Sequence, residues 1–308
     1  MHKGQTIWFQ KIMLILLPET IGNLRSLTDL DVSGNQLLEL PYQVTLLSKL
    51  QKLNASNNRL TFLPDGIENL HELTEFNASH NRLRKLPAGI LGETYTTEVD
   101  ATHDVVVYNP GRVRMLQTFN VSHNKLTTLP SNIGNLRKLT ELNISNNRLT
   151  EFSADIIRLP DLQKINVSHN ELTSIPAQIS TLTSLQEIDL SHNRLIYLPS
   201  TLGALQALSV LNASHNRIIY IPSSISNLRN IKNFDFSFNN IMHFQECLLG
   251  ALHCKNTKLN DNLFPKELLN KLFPDTKEGQ DRAALAISIG YLAFLALLMG
   301  YLPPEAFV

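Results

Sequence analysis

The stretch Leu185–Pro199, LQEIDLSHNRLIYLP, returns 23 residues later as Leu208–Pro222, LSVLNASHNRIIYIP. Moving outward at the same interval finds LQKINVSHNELTSIP from Leu162, LTELNISNNRLTEFS from Leu139, LQTFNVSHNKLTTLP from Leu116 and IKNFDFSFNNIMHFQ from Ile231. Before an interruption stand LTDLDVSGNQLLELP from Leu27, LQKLNASNNRLTFLP from Leu50 and LTEFNASHNRLRKLP from Leu73, making nine copies. A tenth, degenerate copy keeps the phase through Cys254, Thr257, Leu259, Asn262 and Phe264. At the other end Ile7, Phe9, Leu14, Leu17, Pro18, Ile21 and Leu24 fit half a repeat, with Ile12 in the Asn slot.

The spacing L-x-x-L-x-L-x-x-N-x-L has a direct physical meaning. Apolar residues alternating with polar ones over L-x-L predict a short strand with one buried face. The Asn that follows (35, 58, 81, 124, 147, 170, 193, 216, 239) stands where the chain leaves the strand, and its amide can satisfy backbone groups left unpaired there. The succeeding L-P-x-x-I-x-x-L half predicts an irregular or 3₁₀ return, with Pro fixing φ and Ile or Leu filling the core. One repeat cannot bury its own leucines, whereas a stack can.

The pattern is that of a leucine-rich repeat, and the L-P-x-x-I-x-x-L half resembles the 23-residue class of cytosolic Ras-pathway scaffolds, Ras-suppressor-like proteins and epithelial polarity scaffolds. The resemblance covers roughly residues 14–273. It implies an α/β repeat solenoid, a horseshoe with a concave parallel sheet and an irregular or 3₁₀ convex side. It also implies a non-catalytic scaffold or adaptor in intracellular signalling, with a small GTPase or a phosphatase-type protein among its partners. Secreted relatives carry cysteine-rich caps, whereas this chain has two cysteines, Cys247 and Cys254, read as buried fillers.

Composition narrows the alternatives. The 27 basic and 27 acidic residues balance, so charge gives no reason to expect nucleic acid. No Walker loop, dinucleotide fingerprint, H-E-x-x-H or G-x-S-x-G motif occurs, so neither a cofactor nor a small-molecule substrate is expected. Five Ser-His pairs (Ser79-His80, Ser122-His123, Ser168-His169, Ser191-His192, Ser214-His215) suggest a hydrolase as the rival class. They recur because the repeat recurs, as a column of near-identical exposed pairs, and catalysis needs one differentiated constellation. Six N-x-S sequons, at Asn54, Asn77, Asn120, Asn143, Asn166 and Asn212, are generated inside the strands in the same way and are read as unmodified.

The predicted organisation is a half-repeat cap over 1–26, nine repeats over 27–253 with an insertion at about 91–115, a degenerate repeat and linker over 254–282, and a short tail over 303–308. Within the insertion, Val105–Tyr108 before Asn109-Pro110-Gly111 can form a hairpin, and the segment reads either as a tolerated surface loop or as a protruding recognition element. Ala283 to Leu302 is 20 residues without a charge, long enough to cross a bilayer as a helix. Lys271, Lys277 and Arg282 precede it and no basic residue follows, which leaves the repeats in the cytosol. The expectation is a tail-anchored protein of the endoplasmic reticulum or another endomembrane, the alternatives being a cytoplasmic protein or a secreted or cell-surface binding protein.

Recognition is expected on the concave face. Its central column, Asp31, Asn54, Asn77, Asn120, Asn143, Asn166, Asp189, Asn212 and Asp235, is nearly uniform. The neighbouring column, which includes Lys52, Glu75, Glu141, Lys164 and Glu187, varies in sign and can discriminate between partners. Arg194, Tyr197, Arg217 and Tyr220 occupy matching slots of adjacent repeats and are expected to form one patch at the rim, Arg and Tyr being enriched in interface hot spots.

Overall fold

The computed structural model describes residues 5–87, 113–131, 133–242, 256–259 and 261–263. The predicted hairpin, Cys247 and Cys254, and the stretch 283–302 lie outside these residues. The chain divides into two compact units, Met1–Ile165 and Asn166–Val308.

In the first unit lie β1 (Gln5–Trp8), β2 (Leu27–Asp31), β3 (Lys52–Asn54), β4 (Glu75–Asn77), β5 (Thr118–Asn120) and β6 (Glu141–Asn143), and β7 (Lys164–Asn166) stands at the division. The strands β1 to β6 pair in sequence order, all parallel. The second unit repeats the arrangement with β8 (Glu187–Asp189), β9 (Val210–Asn212), β10 (Asn233–Asp235) and β11 (Asn256–Lys258). In most pairs equivalent repeat positions face each other, as with Leu53 against Phe76 and Ile188 against Leu211. The middle residue of each three-residue strand is buried, as with Leu53, Leu142 and Leu211, and its two neighbours face solvent to differing degrees. The degenerate tenth copy is a strand too, with Thr257 and Leu259 buried.

The return half folds as expected from its prolines. Pro18, Pro41, Pro176, Pro199 and Pro222, with φ between −59 and −68°, enter the 3₁₀ turns Glu19–Asn23, Tyr42–Leu46, Ala177–Thr181, Ser200–Ala204 and Ser223–Asn227. The described return segments are 3₁₀ or irregular with no α-helix among them, so the regular structure described is β and 3₁₀ rather than α/β. Adjacent turns come very close. A Cβ on Gly203 would lie 2.1 Å from the Ser224 carbonyl oxygen, and one on Gly134 would lie 2.7 Å from that of Asp155. These glycines are required by close approach, not by φ.

The Asn column is the internal frame. Asn58 Oδ1 accepts the Leu37 N–H at 3.1 Å, while its Nδ2 donates to the carbonyls of Val32 (2.9 Å), Ala55 (3.2 Å) and Ser56 (3.1 Å). Each rung thus satisfies backbone groups of its own repeat and the preceding one in a place water does not reach. At the N-terminal end, where Ile12 replaces Asn, Asn35 Oδ1 accepts from the Ile12 and Leu14 N–H groups.

The insertion leaves this frame unbroken. Asn124 Oδ1 accepts the Leu83 N–H at 2.9 Å and its Nδ2 donates to the Ala78 carbonyl at 3.0 Å, as between contiguous repeats. The repeat resumes before the expected end of the insertion at 115. Val113 is already buried, in the slot that Leu136 and Leu159 fill in later repeats.

Candidate functional site

Strand alternation aims two residues of each repeat out of the sheet. In the first unit Lys52 and Glu75, register partners on β3 and β4, form an ion pair at 2.5 Å. Glu141 and Lys164 approach to 3.9 Å. In the second unit Glu187 faces Val210 in register, Arg194 pairs with Glu171 at 3.0 Å, and Arg217 is exposed. Exposed pairs of this kind contribute about 0–1 kcal/mol each to stability, so their charge is available to a partner at little cost to the fold.

Of the four residues expected as one patch, two line a common cleft. Tyr197 and Tyr220, 48% and 40% exposed, share a cleft of about 380 Å³ with Pro199, Ser200, Pro222 and Ser223, at the entry to the 3₁₀ turns. Arg194 and Arg217 do not line that cleft.

In the central column Asn77, Asn120 and Asn143 use Oδ1 to accept N–H groups of Ser79, Ser122 and Ser145. Their Nδ2 groups donate to no described protein acceptor. Asp31 differs from these. Burial alone would raise its pKa, but hydrogen bonds from Ser33, Gln10 and Asn54 outweigh that and hold the carboxyl below its ordinary value. The first unit's exposed sheet residues from β1 to β5 line a groove of about 350 Å³ that includes Trp8, Asp29, Asp31, Lys52 and Glu75.

The Ser-His column is not a row of exposed pairs. The serines are buried, and Ser145, Ser168, Ser214 and Ser237 donate their hydroxyls to Asn143, Asn166, Asn212 and Asp235. The histidines hold the left-handed turn before each Asn, with φ of 53–54° at His80, His123, His169, His192 and His215. Asn57 and Asn146 take the same role and Gly34 takes it at φ 68°. Such residues tolerate positive φ better than most. Phe238 adopts φ 54° in the same slot.

The rings stack. His80 lies on His123 with centroids 3.9 Å apart. In the second unit His169, His192, His215 and Phe238 stack in sequence at 4.0, 4.0 and 4.2 Å. Among the described residues no cluster of three or more His, Cys, Asp or Glu is placed to hold a metal ion.

Burial lowers the pKa of His192, and the charges of His169 and His215 lower it further, against a smaller opposing effect of Asp189. The unfolded chain therefore binds this proton first, at about pH 6.5. The stability associated with neutral His192 is complete above that pH and is lost as pH falls toward the lower folded value. The thermal midpoint of the full chain is expected to drop between neutral pH and pH 5, and His192→Asn is expected to flatten that dependence. Calorimetry across the range checks both outcomes.

Comparison with known proteins agrees with this architecture. Family profiles described as Leucine rich repeat, Leucine-rich repeat region, Leucine Rich repeats (2 copies) and Leucine Rich Repeat match residues 137–195, 8–87, 114–156 and 207–228. The chain is a leucine-rich-repeat protein. The crystal structure of an internalin (InlF) from Listeria monocytogenes is 22% identical, with a TM-score of 0.63 over 85% of this chain and 75% of that one. The PEPR1–AtPEP1 structure is 25% identical, with a TM-score of 0.70 over 84% of this chain and 35% of that one. The plant peptide hormone receptor RGFR1 in complex with RGF2 is 25% identical, with a TM-score of 0.66 over 85% of this chain and 45% of that one. This chain thus spans less than half of either receptor chain. No curated protein sequence gave a significant match.

The central sequence column contained Asp31 but gave it no role of its own, and Trp8 was passed over. Counting back 23 residues from Asp31 lands on Trp8, so the signal was present in the phase.

Proposed function

We propose that the chain is a non-catalytic protein-binding module, a scaffold or adaptor that takes protein or peptide segments on the exposed face of its sheet. The observation that carries this reading is the outward ladder of Asn77, Asn120 and Asn143, whose Nδ2 donors serve no acceptor among the described residues and so stand ready for the backbone of a partner. The column beside it changes sign from repeat to repeat and supplies specificity. Peptide complexes of the similar receptors RGFR1 and PEPR1 add support. The resemblance to Ras-pathway scaffolds makes a small GTPase or a phosphatase-type signalling protein the first partners to assay.

Selection of peptides from a random display library against the purified full chain tests the reading. Binding is expected to fall with Glu75→Lys and with Glu141→Lys, and to persist with Gln178→Glu on the exposed 3₁₀ side. Ligands lost only with substitutions on the 3₁₀ side would overturn it.

The uncharged stretch 283–302 supports a further part of the proposal, that the module is held at a membrane with its repeats in the cytosol. Among the described residues no helix is long and apolar enough to cross a membrane, and this stretch lies outside them. Resistance of the full chain to alkaline carbonate extraction is the expected result. Its release into the soluble fraction, or glycosylated repeats, would reject this placement.

A further inference from the structure

Trp8 is the single tryptophan of the chain and is 75% exposed. A large aromatic surface left in water is costly, and tryptophan is a residue type enriched at interface hot spots. On β1 it faces Asp31 of β2 in register, and Thr6 faces Asp29 in the same way. Residues two apart on a strand share a face, so the indole and the two carboxylates look out of the sheet side by side.

The groove there is negative. Asp29, Asp31 and Glu75 line it against a single cation, Lys52, and that ammonium is already engaged by Glu75 at 2.5 Å. Asp31 is held in place by the Ser33 N–H (2.9 Å), Gln10 Nε2 (2.5 Å) and Asn54 Nδ2 (3.0 Å). Asp29 uses Oδ2 to accept the Thr28 hydroxyl at 2.6 Å, and its Oδ1 receives no described protein donor. The site therefore presents an aromatic plane, an immobilised negative charge and one open carboxylate oxygen.

That combination selects an occupant. A guanidinium is planar, stacks on an indole within about 6 Å of the ring centre and donates in-plane N–H groups to a carboxylate. A compact ammonium would meet the charge but leave the indole plane poorly covered. A metal ion would find an indole without a ligand atom and a single open carboxylate oxygen, too few ligands to hold it. An anionic segment would be repelled.

We propose that this groove is the subsite for an arginine side chain of the bound segment, with the guanidinium lying on Trp8 and bonded by Asp29. The proposal rests on the reading of the sheet face as the binding surface, and names the chemistry recognised at its N-terminal end.

The peptides selected by display provide the test, since the lone tryptophan reports binding by its own fluorescence. Sheet-face ligands are expected to be enriched in arginine and to shift Trp8 emission saturably. Replacing the arginine by citrulline, which removes the charge at nearly constant shape, is expected to weaken binding about tenfold or more. Asp29→Asn is expected to cost a similar factor with the arginine peptide and little further with the citrulline peptide, while Trp8→Ala weakens the arginine peptide alone. Sheet-face ligands that lack arginine, or that tolerate citrulline without loss, would overturn the arginine subsite and leave the binding module standing. Absence of any sheet-face ligand would overturn both.

Discussion

Replacing Asn193 by alanine is expected to destabilise the protein by about 3 kcal/mol or more, because several buried backbone groups lose their partners at once. Asn193 Oδ1 accepts the Leu172 N–H at 3.0 Å, and Nδ2 donates to the carbonyls of Val167 (3.1 Å), Leu190 (3.0 Å) and Ser191 (3.1 Å). Alanine offers none of these bonds, and each orphaned group costs about 1–3 kcal/mol where water cannot replace the amide. Asn54, a strand residue facing solvent, bonds only Asp31 and the Ser56 N–H, so Asn54→Ala is expected to cost less than about 1 kcal/mol. Urea unfolding of the two variants separates them. Faster amide exchange at Leu172 in Asn193→Ala would place the damage at the missing rung, and equal stability of the two variants would refute the role assigned to the ladder.

A comparable loss is expected from Phe119→Ala. Phe119 is fully buried and its ring stacks on Phe76 with centroids 5.7 Å apart. Truncating a buried phenylalanine costs about 3–5 kcal/mol, the sum of lost transfer free energy and the cavity left behind. The pair joins β4 to β5, strands far apart along the chain yet adjacent in the sheet. Phe119→Leu is expected to recover most of the loss, since the other described strands mostly fill this slot with leucine or isoleucine. Chemical denaturation measures both. A loss from Phe119→Ala no greater than that from an exposed residue would show that the join is not packed as described.

The repeat was legible because its determinants are local and occur many times over. Period-2 alternation around Leu53 or Ile188 specifies a strand with one buried face, and Pro199 or Pro222 specifies the extended entry to a 3₁₀ turn. The role of the histidines was harder to read. A residue ahead of each Asn must adopt positive φ, and His, Asn and Gly meet that demand by different means, so the column looks like a loose consensus. Chemistry attracted attention to the Ser-His pairs, whereas backbone geometry accounts for them. The cleft shared by Tyr197 and Tyr220 was not legible, because it forms between the turns of adjacent repeats and spacing along one repeat does not show it. Trp8 was overlooked because its repeat lacks the Asn that marks the others, with Ile12 in its place. Its column position becomes evident once β1 is seen in register with β2.

The unbroken ladder across the insertion bears on how such a chain grows. Asn124 reaches back to Leu83 with the geometry that Asn58 uses toward Leu37, although 41 positions separate the first pair and 21 the second. A rung recognises the shape of the preceding turn and is indifferent to the length of chain that delivers it. Whole turns can therefore be duplicated or lost, and foreign sequence spliced between them, without renegotiating the junctions. For the gene this means that unequal recombination within the array yields a foldable product more readily than it would in a domain whose parts are mutually unique. New recognition surfaces can then arise by changes in the number of turns as well as by substitution within them.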